Sequence, residues 1–173
     1  GQAGGIAGKN ALITGAGPIG QLIGLVARHY GAAHLAVSDI RADALDLAAS
    51  LWADQALRGD DPAAIARAAG EGFDVVIEAS GAPTALVTAY QHCRASGTIV
   101  QLGVQGSQIE LPVNLVMQKE LTLRGSFRFA HVFAQALDLL ARRQLNIAPL
   151  ISARFDFPDL VAGFDAALAP QTI

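Results

Sequence analysis

The chain has 173 residues, a formal net charge of −3, and 52% hydrophobic against 16% charged residues. This suits one domain of ordinary size with enough apolar material for a core, and it excludes disorder and the basic surface of a nucleic-acid binder. One cysteine, Cys93, leaves no disulfide framework or Cys-rich zinc site, no apolar run reaches the roughly eighteen residues of a membrane span, and no secretory leader pattern is visible, so a reducing, cytoplasmic setting is expected.

Aliphatic runs at 10–14, 34–40, 73–80, 97–104 and 120–127 alternate with helical patterns at 19–30, 41–52, 62–69 and 84–95. A weaker strand signal lies near 55–57. The runs are apolar almost continuously rather than at every second position, the mark of strands covered on both faces. Strand and helix in alternation predict a parallel sheet with right-handed crossovers, an α/β fold of the Rossmann-type, doubly wound kind. After Phe127 the rhythm changes. A helix is predicted over 132–143 with Phe133, Ala136, Leu137 and Leu140 on one face, then a strand over 148–157, then a helix over 158–168 opened by Pro158. This tail does not continue the βα pattern and reads as a return into some other structure.

The first strand runs into Gly15-x-Gly17-x-x-Gly20, followed at once by a helical pattern. The triplet alone is weak in a chain with 18 glycines. Its context gives it meaning: Gly15 permits a tight turn, Gly17 lets the backbone approach a pyrophosphate, and Gly20 lets the helix pack closely on the strand. The helix N-terminus offers N–H groups and partial positive charge to phosphates, and Pro18 at its first position loses no hydrogen bond. Asp39 ends the second strand, nineteen positions after Gly20. An acid there bonds the hydroxyls of an adenosine ribose and repels a 2′-phosphate, which favours NAD over NADP. Arg41 tempers this preference, and Asp39 also reads as a helix-capping acid.

Ligands of doubly wound sheets sit at the carboxyl ends of strands. Ala79 and Ser80 end the fourth predicted strand, and Leu102, Gly103 and Val104 end the fifth. All are candidate neighbours of a nicotinamide and its ribose. The histidines, His29, His34, His92 and His131, show no metal-ligand spacing, and no nucleophile, Walker or zinc-protease motif is present. The residues describe a cofactor cradle without catalytic apparatus.

Four stretches carry a resemblance over essentially the whole chain: GAGPIG (15–20) with SDI (38–40), FDVVIEASG (73–81), KELTLRGSFRF (119–129), and NIAPLISARFDFPDLVAGFDAAL (146–168). With them the chain resembles the C-terminal half of the zinc-containing medium-chain dehydrogenases, most of all the polyol and sugar-acid branch of sorbitol and L-idonate 5-dehydrogenases. LRGSFRF is the more specific marker of that branch. The resemblance implies a Rossmann NAD-binding domain at 1–127 and, at 128–173, a segment that returns to a catalytic domain. It implies cofactor contacts at Gly17, Pro18, Ile19, Asp39, Ile40, Ala79, Ser80, Gly103, Val104, Phe127 and Arg128. It places catalytic zinc in an N-terminal domain outside this chain, so the 173 residues are expected to bind NAD but not to turn over. It implies a small polyol or sugar-acid substrate and a homodimer or homotetramer built through the edge strand at 121–127. Trp52 departs from the family, which usually has Gly there; Trp disfavours a left-handed helix end, so a local difference is expected. Two other readings of the glycine loop remain, a dinucleotide-sensing module without catalysis and a zinc-independent reductase.

Overall fold

The computed structural model describes residues 3–106, 108–128 and 132–169; His131 and Phe129 lie outside them. The elements in order are β1 (Asn10–Thr14), α1 (Pro18–His29), β2 (His34–Asp39), α2 (Ala42–Leu51), β3 (Gln55–Arg58), α3 (Pro62–Ala69), β4 (Phe73–Glu78), α4 (Pro83–His92), β5 (Cys93–Gln101), α5 (Asn114–Gln118), β6 (Thr122–Gly125), α6 (Phe133–Ala141) and α7 (Leu160–Ala167). The six strands form one sheet in the order β3-β2-β1-β4-β5-β6, with every pair parallel. The chain winds outward from β1 to β3, then crosses back to lay β4 against β1. That reversal opens a crevice at the carboxyl ends of β1 and β4, where doubly wound sheets bind ligands.

The continuous apolar runs are explained by two cores. Ile13, Val37 and Val75 face Leu25, Leu45 and Trp52 of the α1–α2 layer. Their neighbours Leu12, Ala36 and Val76 face the opposite way, toward Ile65, Leu86 and Tyr90 of α3 and α4. Successive strand residues alternate between faces, and both faces are covered, so the middles of β1, β2 and β4 are apolar at every position.

Trp52 has φ −154°, an extended value, so the end of α2 uses no left-handed residue. Its indole turns inward, is 3% exposed, and lies against Gly24 of α1, where an added Cβ would stand 2.1 Å from the ring. Gly24 is thus the space into which the tryptophan fits. The indole N–H donates to Gln21 Oε1 at 2.8 Å, which answers the polar atom that burial strands.

Several boundaries differ from the sequence expectation. The helix expected over 84–95 stops at His92, and β5 starts at Cys93 rather than at 97. Lys119 Nζ donates to the carbonyls of Tyr90, Gln91 and Cys93 at 3.3, 2.6 and 2.9 Å, a helix-ending cap supplied from far along the chain. Ser96 takes φ 56° and the pairing with β4 shifts register between Phe73 and Val75, so the early part of β5 is a bulged lead-in. α5 carries a short apolar pattern that the sequence reading passed over. The strand expected over 148–157 is absent: residues 148–150 form a 3₁₀ turn and 151–156 run without regular structure. That segment is mostly exposed and pairs with no strand of the sheet, and an extended segment without a partner gains no ladder. Pro158 belongs to a second 3₁₀ turn, Phe157–Asp159, that precedes α7.

Candidate functional site

The carboxyl edge of the sheet is knitted into a ledge. Past each strand end, the first loop residues donate to the last carbonyls of the adjoining strand: Gly15 to Ser38, Gly59 to Asp39, Ala79 to Thr14, Leu102 and Gly103 to Glu78, and Ser126 to Gln101, at 2.8–3.0 Å. The strand ends are therefore fixed relative to one another before any ligand arrives.

Gly15 turns the chain out of β1 with φ 97°, and an added Cβ would stand 2.8 Å from Ser80 N. The turn can sit against the end of β4 only as glycine. At Gly20 a Cβ would meet the Gly15 carbonyl oxygen at 1.9 Å, so the helix starts directly on the turn. Gly17 is the N-cap of α1, with Pro18 following, and nothing lies within 4 Å of where its Cβ would be. Its open side faces away from the protein, as a backbone seat for a ligand requires. Gln21, fully buried, fastens the turn from below: its Nε2 donates to Ala16 O at 3.0 Å and Ala44 O at 2.8 Å, while its Oε1 accepts from Trp52.

Asp39 closes on the same turn. Its Oδ2 accepts from Ala16 N at 2.6 Å and its Oδ1 from Arg41 N at 2.9 Å. Each carboxylate oxygen retains a further lone pair, so the acid bonds the glycine turn and the start of α2 together and still has acceptor capacity at the crevice. Ile19 and Ile40 flank this spot, 57% and 68% exposed.

On the other side stands Glu78, at the end of β4 and 0% exposed. Its Oε1 accepts from Ser80 N, Ser80 Oγ and Gly81 N at 2.7–2.8 Å, and its Oε2 from Gln105 Nε2 at 3.1 Å. An added Cβ on Gly103 would come within 2.3 Å of Oε2, and one on Gly81 within 2.9 Å of Val104 O. A buried carboxylate thus shapes the two loops that follow β4 and β5. Among the described residues, two buried side-chain polar atoms lack a hydrogen-bond partner, Thr14 Oγ1 and Gln105 Oε1. Both lie on this edge, one at the end of β1 and the other on the residue that bonds Glu78.

The structure brings Gly15, Gly17, Pro18, Ile19, Gly20, Asp39, Ile40, Ala79 and Ser80 around the β1–β4 crevice, with Gly103 and Val104 joined to them through Glu78 and Gly81. Phe127 and Arg128 lie just beyond β6, three strand spacings or roughly 14 Å from β1. There the Arg128 guanidinium lies 4.7 Å over the Phe127 ring. Sequence reasoning missed Glu78 and Gln21 as site residues. Glu78 was legible as an acid closing a buried strand; Gln21 showed only as one polar residue on an apolar helix face.

An apolar cleft of about 320 Å³ runs between α3 and α4, with Gly59 and Pro62 after β3 and Pro83 and Thr84 after β4 at its strand-end side. Arg41 and Arg58 bracket Asp39, each fork-bonded to the acid two residues on, Asp43 and Asp60. These bonds raise the arginines' pKa values and hold both aspartates below the usual carboxylate range. Burial pushes the Cys93 thiol up to about 11, and burial followed by the Lys119 charge pushes His92 down. Neither supplies a poised nucleophile or acid.

The sequence pattern of the zinc-binding dehydrogenases matches residues 18–142. The chain belongs to this family. It is 38% identical to the L-idonate 5-dehydrogenase (NAD(P)(+)) of Escherichia coli over 92% of its length and 47% of that protein's. To the D-xylulose reductase of Saccharomyces cerevisiae it is 35% identical over 91% and 47%. Its fold superposes on the E. coli L-idonate 5-dehydrogenase crystal structure with a TM-score of 0.91 at 37% identity, covering 99% of this chain and 50% of that one. A zinc-binding dehydrogenase from Sinorhizobium meliloti, solved bound to NADP, gives 0.91 at 28% identity over 99% and 52%. The chain spans about half the length of the curated relatives it matches.

Among the described residues no group of three or more His, Cys, Asp or Glu side chains is placed to hold a metal ion. No helix among them is long and apolar enough to cross a membrane.

Proposed function

We propose that this chain is the cofactor-binding portion of a zinc-dependent polyol or sugar-acid dehydrogenase that takes hydride from a secondary alcohol, with NAD as the preferred acceptor. The observation that carries the reading is the Asp39 carboxylate, bonded to the Ala16 N–H of the glycine turn with lone pairs left over at the β1–β4 crevice. The glycine turn and the first turn of α1 seat the pyrophosphate on backbone N–H groups and the positive end of the helix dipole. Asp39 accepts from the adenosine ribose hydroxyls. Ile19 and Ile40 lend apolar cover beside it, and the strand-end side of the α3–α4 cleft takes the adenine. Thr14 Oγ1 and Gln105 Oε1 fit this reading as polar atoms waiting at a ligand's edge.

Bound NAD supplies the hydride acceptor. The chain's own residues position it: Glu78 holds the Ser80–Gly81 and Gly103–Val104 loops against the nicotinamide ribose, while Phe127 and Arg128, about a dinucleotide's length from Asp39, border the nicotinamide and substrate. Arg128 suits the carboxylate of a sugar acid. Zinc is assigned to a catalytic domain contributed by the rest of a longer enzyme. Residues 1–127 form the cofactor domain and 128–173 pack onto the catalytic domain, where 148–157 gains the partner that an extended segment needs. The names of the relatives support the substrate class. The exposed edge strand β6, within 121–127, joins subunits in a cytoplasmic homo-oligomer.

Calorimetric titration tests the site. Asp39→Ala is expected to weaken NAD by about tenfold or more and NADP far less, since a charge-assisted bond is lost for one and a repulsion removed for the other. Equal losses for both would refute the ribose assignment. Supplied with its catalytic domain, the protein is expected to oxidise L-idonate or sorbitol; alone, it is expected to bind NAD without turnover.

A further inference from the structure

Ala16, between the first two glycines of the turn, has both of its backbone polar groups held by side chains from outside it. Its N–H donates to Asp39 Oδ2 at 2.6 Å, and its carbonyl accepts from Gln21 Nε2 at 3.0 Å. Asp39 thus sets the peptide plane between Gly15 and Ala16, and Gln21 sets the plane between Ala16 and Gly17. The Gln21 backbone N–H also reaches the turn, donating to the Gly17 carbonyl at 2.9 Å. A peptide group is planar, and this one is trans, so the Gly17 N–H points opposite to the Ala16 carbonyl. That carbonyl is turned inward, to a fully buried side chain, so the Gly17 N–H is turned outward. Nothing lies within 4 Å of the position a Gly17 Cβ would take, which leaves the residue open on its outer side.

Gln21 can do this in one orientation of its amide only. An amide oxygen cannot donate, so a flipped side chain would set it against the carbonyls of Ala16 and Ala44. Trp52 decides between the two orientations. An indole N–H donates and never accepts, and this one lies 2.8 Å from Gln21 Oε1. All three bonds of the amide are buried, where an unmatched polar group is costly. A chain of linked groups therefore runs from the end of α2 through α1 to the turn: the Trp52 indole, the Gln21 amide, the Ala16 carbonyl and the Gly17 N–H.

We propose that Gln21 is a positioning residue for the pyrophosphate, aiming the Gly17 N–H at it, and that Trp52 holds Gln21 to that task by fixing its amide. This rests on the reading of the glycine turn as the pyrophosphate seat. Neither side chain touches the cofactor; both act through the peptide between Ala16 and Gly17. Trp52 is the one tryptophan of the chain, so its indole N–H gives a single resonance that reports from the far end of the linked groups.

Titration with NAD, ADP and adenosine separates this role from one in stability alone, with circular dichroism confirming the fold of each variant. ADP and adenosine share base and ribose and differ in the pyrophosphate. Gln21→Met, close in volume but without the amide, is expected to weaken NAD and ADP about tenfold and adenosine less than about twofold. Trp52→Phe removes the indole N–H and leaves the amide, and is expected to show the same split at about threefold. In the unmodified protein the indole N–H resonance is expected to shift on saturation with ADP and to stay in place with adenosine. Unchanged ADP affinity in either folded variant, equal losses for ADP and adenosine, or an indole resonance indifferent to ADP overturns the proposal. Should Gln21→Met fail to fold, Trp52→Phe and the indole resonance decide. Failure of the unmodified protein to bind NAD contradicts instead the pyrophosphate reading beneath it.

Discussion

The sheet region and the tail are built from similar residues and use them in opposite ways. Phe73, in β4, is 2% exposed; Phe157 and Phe164, around α7, are 86% and 65% exposed. No residue of α6, α7 or the two 3₁₀ turns is buried, although Phe133, Leu137, Leu140, Leu160 and Val161 are all large and apolar. Leu145, Ile147 and Leu150 do pack against the α1–α2 core, so the tail is anchored at its middle and open along its helices. Large apolar side chains left exposed in such number fit a surface that meets a partner. The contrast supports a cofactor domain complete in itself and a tail that lacks its covering.

The difference can be broken most sharply by truncation in each region. Phe73→Ala is expected to cost about 3–5 kcal/mol by leaving a core cavity, whereas Phe164→Ala should stay within about 0.5 kcal/mol in the 173-residue chain. Urea unfolding of the two variants checks this, and similar losses would show the tail to be packed after all. Next in size is Glu78. Glu78→Ala strands the donors of Ser80, Gly81 and Gln105 and should cost on the order of 2–4 kcal/mol. Glu78→Gln should cost less, because a flip of the Gln105 amide turns its unpartnered oxygen toward the new N–H₂ group. Thermal melts of the pair distinguish a hydrogen-bonding role from one of mere volume.

Gly24→Ala should cost roughly 1–3 kcal/mol by forcing a methyl into the Trp52 ring. In a Trp52→Leu background the same change should cost measurably less; a double-mutant cycle with no coupling would contradict the fit described for the indole. The smallest effect concerns Cys93. With its thiol pushed up to about 11 by burial, it should resist alkylation at neutral pH and react only once urea unfolds the chain. Rapid labelling of the native protein would place the start of β5 at the surface.

The centre of the sheet was legible because both of its faces are covered, so β1, β2 and β4 announce themselves by aliphatic runs through their middles. The glycine turn and Asp39 were legible because backbone geometry at a phosphate seat admits few residue types. What sequence could not convey came from contacts between distant positions. Lys119 ends α4 from 26 to 29 residues away. Gln21 becomes a site residue only when Trp52 and Ala44 fold over it. The segment 148–157 has strand composition, yet strand formation depends on a neighbour that composition does not specify.

The central claim is that a dinucleotide lies along the carboxyl edge of this sheet with its pyrophosphate on the glycine turn. Amide chemical-shift mapping during titration with NAD tests it most directly. The account predicts saturable shifts at Ala16, Gly17, Ile19, Gly20, Ile40, Ser80 and Gly103, with α6 and α7 unmoved. Shifts confined to the tail, or none at the glycine turn at saturating NAD, would contradict it.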